Sequence, residues 1–520
     1  MTLSVRQWAV VITASIGALL EIIDTSITNV ALINIQASLS ATLAEVGWVV
    51  TGYAIATVVM IPLSNWLSNV FGQRRYFIFS LVGFTGASVL CGLAPSLPLL
   101  VLARVLQGLL GGGLLPKAQA ILFQTLPAAA QGIIQAAFGI VVLAGPALGP
   151  TLGGWLTDSL GWRWIFFINL PLGVLTVLLA FAFLEPDQEG PADAAKGPGG
   201  GRAAVDWFGI VLLAAGLGSL QLVLEQGHQY DWLENSGIRQ LTLVALIALP
   251  LFVVWELRQR APAVDLRVLR YRSLAAGTLF SMALGMGLYG TVFIVPIFAQ
   301  SQLGYTATQT GMLMLPGALA SAVTMALLGR VVSRIDPRLL ITVGGVLMVV
   351  TMLQLAAINP DTGEPSLYWP LIFRGSTTVL MFLPLSLASL GPLPRNEVGA
   401  GSGLFNLSRQ LGGSFGIALL TVVLDRQRAV HRAQLVEHLA STNPLLQERL
   451  HSLQIWLSQR AAGTVQPEGQ VLHLLSQQVD RQATLLAYGD VFRTLAGVFL
   501  VVLPLVLLLG RPPSAVKAPP

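Results

Sequence analysis

Apolar residues fill this chain in long blocks separated by short polar connections. Fourteen blocks are long enough to cross a bilayer as helices: about 9–33, 46–67, 76–95, 98–123, 132–156, 163–184, 206–225, 239–257, 273–299, 309–330, 338–358, 368–391, 400–424 and 489–510. The pattern predicts an all-α membrane protein with fourteen transmembrane helices. Arg74 and Arg75 follow the second block. Arg258, Arg260, Arg267, Arg270 and Arg272 lie between the eighth and ninth, and Arg330, Arg334 and Arg338 follow the tenth. All these short connections fall on one side, which the distribution of Arg and Lys assigns to the cytoplasm. An even number of spans then puts both termini there.

Two connections differ from the rest. The first, EPDQEGPADAAKGPGGGR from Glu185 to Arg202, is rich in Gly, Pro and Ala and is expected to be disordered. The second, Asp425 to Tyr488, falls on the opposite side and is long and charged. Leu446, Leu450, Leu453 and Leu457 recur in it at helical spacing. That spacing fits an amphipathic helix folded back on its own protein and, equally, a docking surface for a partner outside the membrane.

Composition supports this class. Of 520 residues, 54% are hydrophobic and 10% charged, against roughly 25% charged in soluble domains. A net charge of +5 would raise nucleic acid as a partner in a soluble protein. Here topology accounts for the arginines, and no nucleic-acid partner is expected. Cys91, the only cysteine, lies in an apolar block and offers neither an internal disulfide nor a thiolate metal site. None of the three lysines, Lys117, Lys196 and Lys517, follows a glycine, so no Walker A motif exists. GAGSGLF, Gly399 to Phe405, has no strand before it and reads as helix packing. The five histidines, His228, His431, His438, His451 and His473, all fall in outer connections. His431 and His438 could share a helix face, a weak basis for metal binding. Neither an enzyme nor a resident cofactor or metal is expected, which leaves a proton-driven or passive carrier.

The two ends of the chain repeat each other. Gln107-Gly108 matches Arg374-Gly375, Leu126-Pro127 matches Leu393-Pro394, and Gly132 matches Gly399, all at one offset of 267 residues. This predicts an N-terminal six-helix half, 1–185, and a C-terminal half, 273–510, the latter carrying the outer loop 425–488. A linker and two extra helices, 186–272, stand between them, and a tail, 511–520, follows. Parallel repeats of this kind place a substrate site near the midplane, between the halves.

Charges inside the apolar blocks mark the candidate chemistry. Glu21 and Asp24 stand mid-block in the first span, at a spacing that shares one helix face, and Thr28 extends that face by a turn. A charge at that depth costs at least ~2.5 kcal/mol. Such acids line proton or cation paths, or else pair laterally to join helices. Arg104 in the fourth span needs a partner, and the two acids or backbone carbonyls are candidates unless it snorkels to the interface. Arg374 and Arg409 raise the same question in the twelfth and thirteenth spans. GPALGPTLGG in the fifth span repeats Gly145, Gly149 and Gly153 every four residues, a stripe for close helix packing. Pro146 and Pro150 each remove a backbone donor and should kink it. The stripe suits a rocking seal or a static contact.

LEIIDTSITNVALINI, RVLQG, GPALGPTLGG and GWRWIFFINLPLG together resemble the drug:proton antiporters of the major facilitator superfamily. The layout resembles the fourteen-span EmrB/QacA branch, and SLQLVLEQGHQYDW with the long outer loop looks most like its EmrB type. The resemblance implies the facilitator fold of two six-helix halves plus two inserted helices. It implies proton coupling by Asp24, with Arg104, Gln107 and Gly108 tied to proton transfer and Gly145 to Gly154 forming the antiporter motif. Gly72, Arg74 and Arg75 would belong to the gating loop after the second span. It further implies an exporter of lipophilic drugs in a bacterial inner membrane, exchanging them for protons, with a periplasmic membrane-fusion adaptor and an outer-membrane channel as partners. Glu21, Thr28 and Arg374 are candidate substrate contacts. Three departures stand out. Glu21 is an added acid, Asn65 and Asn69 replace the usual Gly and Asp of NWLSNVFGQRR, and Ile33 replaces a Pro. The loss of that Asp puts an Asp–Arg gate contact in doubt. Export of one defined metabolite, such as a siderophore or amino-acid derivative, is the alternative within transport. A non-transporting scaffold or sensor is the alternative outside it.

Overall fold

The structure, a computed structural model, describes residues 3–187, 205–357, 359, 362–437, 439, 446–448, 450–452, 454–455 and 467–509. Every regular element among them is helical. Fourteen helices are long and apolar enough to cross a membrane, from Val5–Ser38 to Gly469–Leu508. They are called spans one to fourteen below. Most of the expected Gly/Pro/Ala-rich connection and the tail lie outside the described residues.

Helix ends follow ordinary capping chemistry. Ser4 and Gln7 form a capping box at the start of span one, and Thr42 with Glu45 does the same for Leu43–Phe71. Thr306 with Gln309 caps Ala307–Val331. Each box satisfies backbone donors that the first turn leaves without partners.

Span one packs on span five, and span nine packs on span thirteen in the same way. Spans four and two, and twelve and eleven, are further neighbours inside each half. The halves meet where span five lies along span ten and where span two meets span thirteen. Span seven, Trp207–Gln226, packs on span two and reaches span thirteen. Gln221 donates to Ser414 at 2.8 Å, and Gln226 donates to Thr51 at 2.8 Å. Span eight, by contrast, turns Leu243, Leu246 and Ile247 outward, as a lipid-facing helix does.

Gln119 and Ser386 stand one repeat length apart, 267 residues, and hydrogen-bond to each other at 2.9 Å. Equivalent residues touch only near the axis relating two repeats. Ser402 and Asn406 of span thirteen add donors to Gln119 Oε1 at 3.1 and 2.7 Å, and Gln124 donates to the Arg395 carbonyl at 2.8 Å. These bonds hold the halves together at the arginine-rich end.

The segment read as an outer loop is partly helix. Span thirteen runs from Val398 through Glu437, and the last helix begins at Pro467. The extensions are joined by His431–Asp490 and Arg432–Asp480 contacts, both 2.7 Å. Their charged sequence lacks the apolar block that marks a span in lipid, so periodicity did not reveal them. Leu446 and Leu450 are helical and half-buried, whereas Leu453, Leu457 and His438 lie outside the described residues.

Candidate functional site

Asp24 is fully buried, and three side chains donate to it. Arg104 pairs with Oδ2, Gln107 Nε2 donates to Oδ1 at 2.9 Å, and Asn169 Nδ2 donates to Oδ1 at 3.0 Å. Ser88 supports the shell by accepting from Asn169 at 2.9 Å and from Gln107 at 3.3 Å. Arg104 does not snorkel. Its Nε donates to the Val49 carbonyl at 3.1 Å, its Nη1 to Gln107 Oε1 at 2.8 Å, and its guanidinium lies 4.0 Å from the centre of the Tyr53 ring. Spans one, two, three, four and six thus converge on one carboxylate. A buried ion is tolerated only with such full pairing.

Two expectations change here. Thr28 does not extend a polar face toward a cavity, because its hydroxyl donates to the Asp24 carbonyl at 2.8 Å within its own helix. Glu21 points away from Asp24's partners, toward the break in span four. That span is two helices, Leu97–Gly111 and Leu114–Thr125, separated at Gly112 and Gly113. The break frees the Leu115 N–H, which donates to Glu21 Oε2 at 2.8 Å. A half-helix N-terminus at membrane depth is a natural place for a carboxylate.

Gly108 lets span four approach span two, since a Cβ there would lie 2.7 Å from the Tyr53 carbonyl oxygen. Gly145, Gly149 and Gly153 meet Ile22, Ser26 and Ile27 of span one, at 2.7, 1.9 and 2.7 Å from a notional Cβ. Gly154 faces open space and is not part of the stripe. Pro146 is buried, and Gln131–Leu160 runs through it and Pro150 as one helix.

The loop after span two finds its acid elsewhere. With Asn69 in the usual position, Asp187 after span six caps span three, accepting from the Arg74 and Arg75 backbone N–H groups at 2.9 and 3.1 Å. Gly72 has φ +92°, and a Cβ there would lie 2.3 Å from the Asp187 carboxylate, so glycine is required twice over. The Arg74 guanidinium donates to the Phe181 carbonyl at 2.6 Å.

Arg374 lies in the other half, apart from this cluster, and donates to Thr291 at 2.9 Å. Thr291 and Arg374 each stand 267 residues after Asp24 and Gln107. The repeat therefore preserves the contact between spans one and four, and nine and twelve, while replacing acid and amide by hydroxyl and guanidinium. Gly412 and Gly416 follow Gly145 and Gly149 at the same offset and pack on Met282 and Met286 of span nine.

Sequence reasoning missed Ser88, Asn169 and Asp187, and also Glu225, a third membrane acid held by Gln221 at 2.8 Å and Thr51 at 3.3 Å. Lys117, buried beside Ser68, was noted only as a lysine without a nucleotide motif.

The Major Facilitator Superfamily model matches residues 14–417. The multidrug export protein EmrB of Escherichia coli K12 is 32% identical over 496 residues, 95% of this chain and 94% of that one. The fatty acid resistance protein FarB of Neisseria gonorrhoeae is 31% identical, covering 96% of each. Among solved structures, a double-tryptophan mutant of XylE aligns with a TM-score of 0.64 at 13% identity, covering 98% of this chain and 97% of that one, a likeness of fold alone. With fourteen helices long and apolar enough to cross a membrane, twelve of them in two repeated halves, this chain belongs to the Major Facilitator Superfamily.

Proposed function

We propose that this protein is a proton-coupled antiporter of a bacterial inner membrane that exports lipophilic compounds, with both termini in the cytoplasm. The observation that carries the reading is the buried Asp24 with its Arg104, Gln107 and Asn169 partners. Ionised, Asp24 balances Arg104 and ties five chain segments together. A proton on Asp24 removes the charge that holds Arg104. Gln107 and Asn169 can still donate to the neutral acid, so the helices loosen without losing every bond. That is a two-state element on which both a proton and a substrate can act. The bonds around Gln119 would hold the cytoplasmic end shut, and their release would open it.

The names of the relatives, multidrug export and fatty acid resistance, support lipophilic cargo. A membrane-fusion adaptor and an outer-membrane channel are the partners proposed for the far side. The helical extensions Asp425–Glu437 and from Pro467 onward favour this, because they carry a rigid surface beyond the apolar spans.

Purified protein in liposomes loaded with a lipophilic fluorescent dye provides the test. An inwardly acidic or outwardly acidic pH gradient should drive dye movement opposite to the protons and in the direction that the gradient sets. Dye movement that ignores the gradient would count against coupling.

A further inference from the structure

Arg409 of span thirteen is buried, 2% exposed, yet its Nε and Nη1 have no hydrogen-bond partner among the described residues. Among the described residues its ring contact is Phe382, 5.6 Å from the guanidinium carbon to the ring centre. Arg104 shows what a structural arginine looks like at this depth, with a carboxylate, an amide and a carbonyl as acceptors. Buried donors left unmet are rare and costly. Among the described residues the C-terminal six helices bury Arg374 and Arg409 but no Asp or Glu. Glu21 of the other half accepts the Leu115 N–H at 2.8 Å, and the Arg409 Nε and Nη1 stay unmet. The guanidinium thus carries open donors with an aromatic ring beside it.

We infer that Arg409 is an anion-binding subsite for an amphiphilic organic acid, its guanidinium taking the carboxylate while Phe382 takes part of the lipophilic body. Guanidinium presents paired N–H groups that match a carboxylate. Glu21 is the internal competitor for that charge. This rests on the export reading and narrows its substrate class.

Full-length protein in detergent is titrated calorimetrically, without a pH gradient, with biphenyl-4-carboxylate and with its neutral match biphenyl-4-carboxamide. Wild type should bind the acid at least ten-fold more tightly than the amide. Arg409→Gln should remove that preference, Arg409→Lys should keep part of it, and Glu21→Gln should tighten acid binding several-fold. Arg432→Gln, in the outer extension where Arg432 pairs with Asp480, should leave the preference in place. No preference in wild type, preference surviving Arg409→Gln, or equal loss in Arg432→Gln overturns the inference. If the glutamine variant fails to fold, the wild-type comparison of acid with amide still decides. Acid preference without gradient-driven transport would sink the antiport reading alone, and gradient-driven transport without acid preference would sink this inference alone.

Discussion

Two contacts separated by the same repeat length, Asp24–Gln107 in one half and Thr291–Arg374 in the other, carry opposite chemistry. The N-terminal one is a saturated ionic cluster. The C-terminal one leaves Arg374 Nε without a partner, and among the described residues its half buries no Asp or Glu. The glycine stripes, by contrast, are alike: Gly145 and Gly149 on span one, Gly412 and Gly416 on span nine. Close helix packing is thus common to both halves, whereas the titratable carboxylate belongs to one. The proposed antiport would divide proton handling and cargo handling between them on that basis.

The largest expected effect separates the halves by stability. Arg104→Ala leaves Asp24 buried and unpaired, which should cost about 3–5 kcal/mol. The thermal midpoint of the solubilised protein should fall steeply, and gradient-driven export should vanish. Arg374→Leu removes a poorly paired buried cation and should leave that midpoint unchanged or higher. Equal losses in the two variants would erase the comparison.

A middle-sized effect tests what the halves share. Gly149→Ala drives a methyl into Ser26, and Gly416→Ala drives one into Met286. Overpacking of this kind costs about 1–3 kcal/mol. Both should lower the thermal midpoint by similar amounts, and both should slow export. A harmless alanine in one half alone would show that the stripes have diverged.

The smallest effect is expected at the axis between the halves. Ser386→Ala removes its one bond to Gln119, worth about 1 kcal/mol. Hydrogen–deuterium exchange should rise in residues 112–125 and 380–390 with little change elsewhere. Unchanged exchange would mean that apolar packing alone closes that end.

How far the site could be read from sequence follows from its physics. Asp24 and Arg104 were legible because a charge in an apolar block is costly and must have a use, whereas Gln107 was marked by the repeat and the family resemblance. Their convergence was partly legible, since Arg104 demanded a partner. Ser88 and Asn169 were not, because one small polar residue in a long apolar helix leaves no pattern. The break under Glu21 had a signal in GLLGGGLLPK, where three consecutive glycines precede Pro116, but only the fold brings Leu115 to span one. Asp187 was hidden by distance along the chain: it replaces a local acid from more than a hundred residues away. The repeat offset, read from a few identities, proved more informative than those identities, because it also pairs Gln119 with Ser386 and Asp24 with Thr291. The helical extensions near Asp425 escaped because helices in water need no apolar block.

Proton release on cargo binding tests the division of labour most directly. Weakly buffered, detergent-solubilised protein would be mixed with biphenyl-4-carboxylate or a lipophilic cation, and the pH change followed with an indicator dye. Wild type and Arg374→Gln should show a proton change that depends on cargo, while Asp24→Asn should bind cargo with none. A proton change that persists in Asp24→Asn, or that disappears in Arg374→Gln while binding remains, would contradict the assignment of proton handling to the N-terminal half.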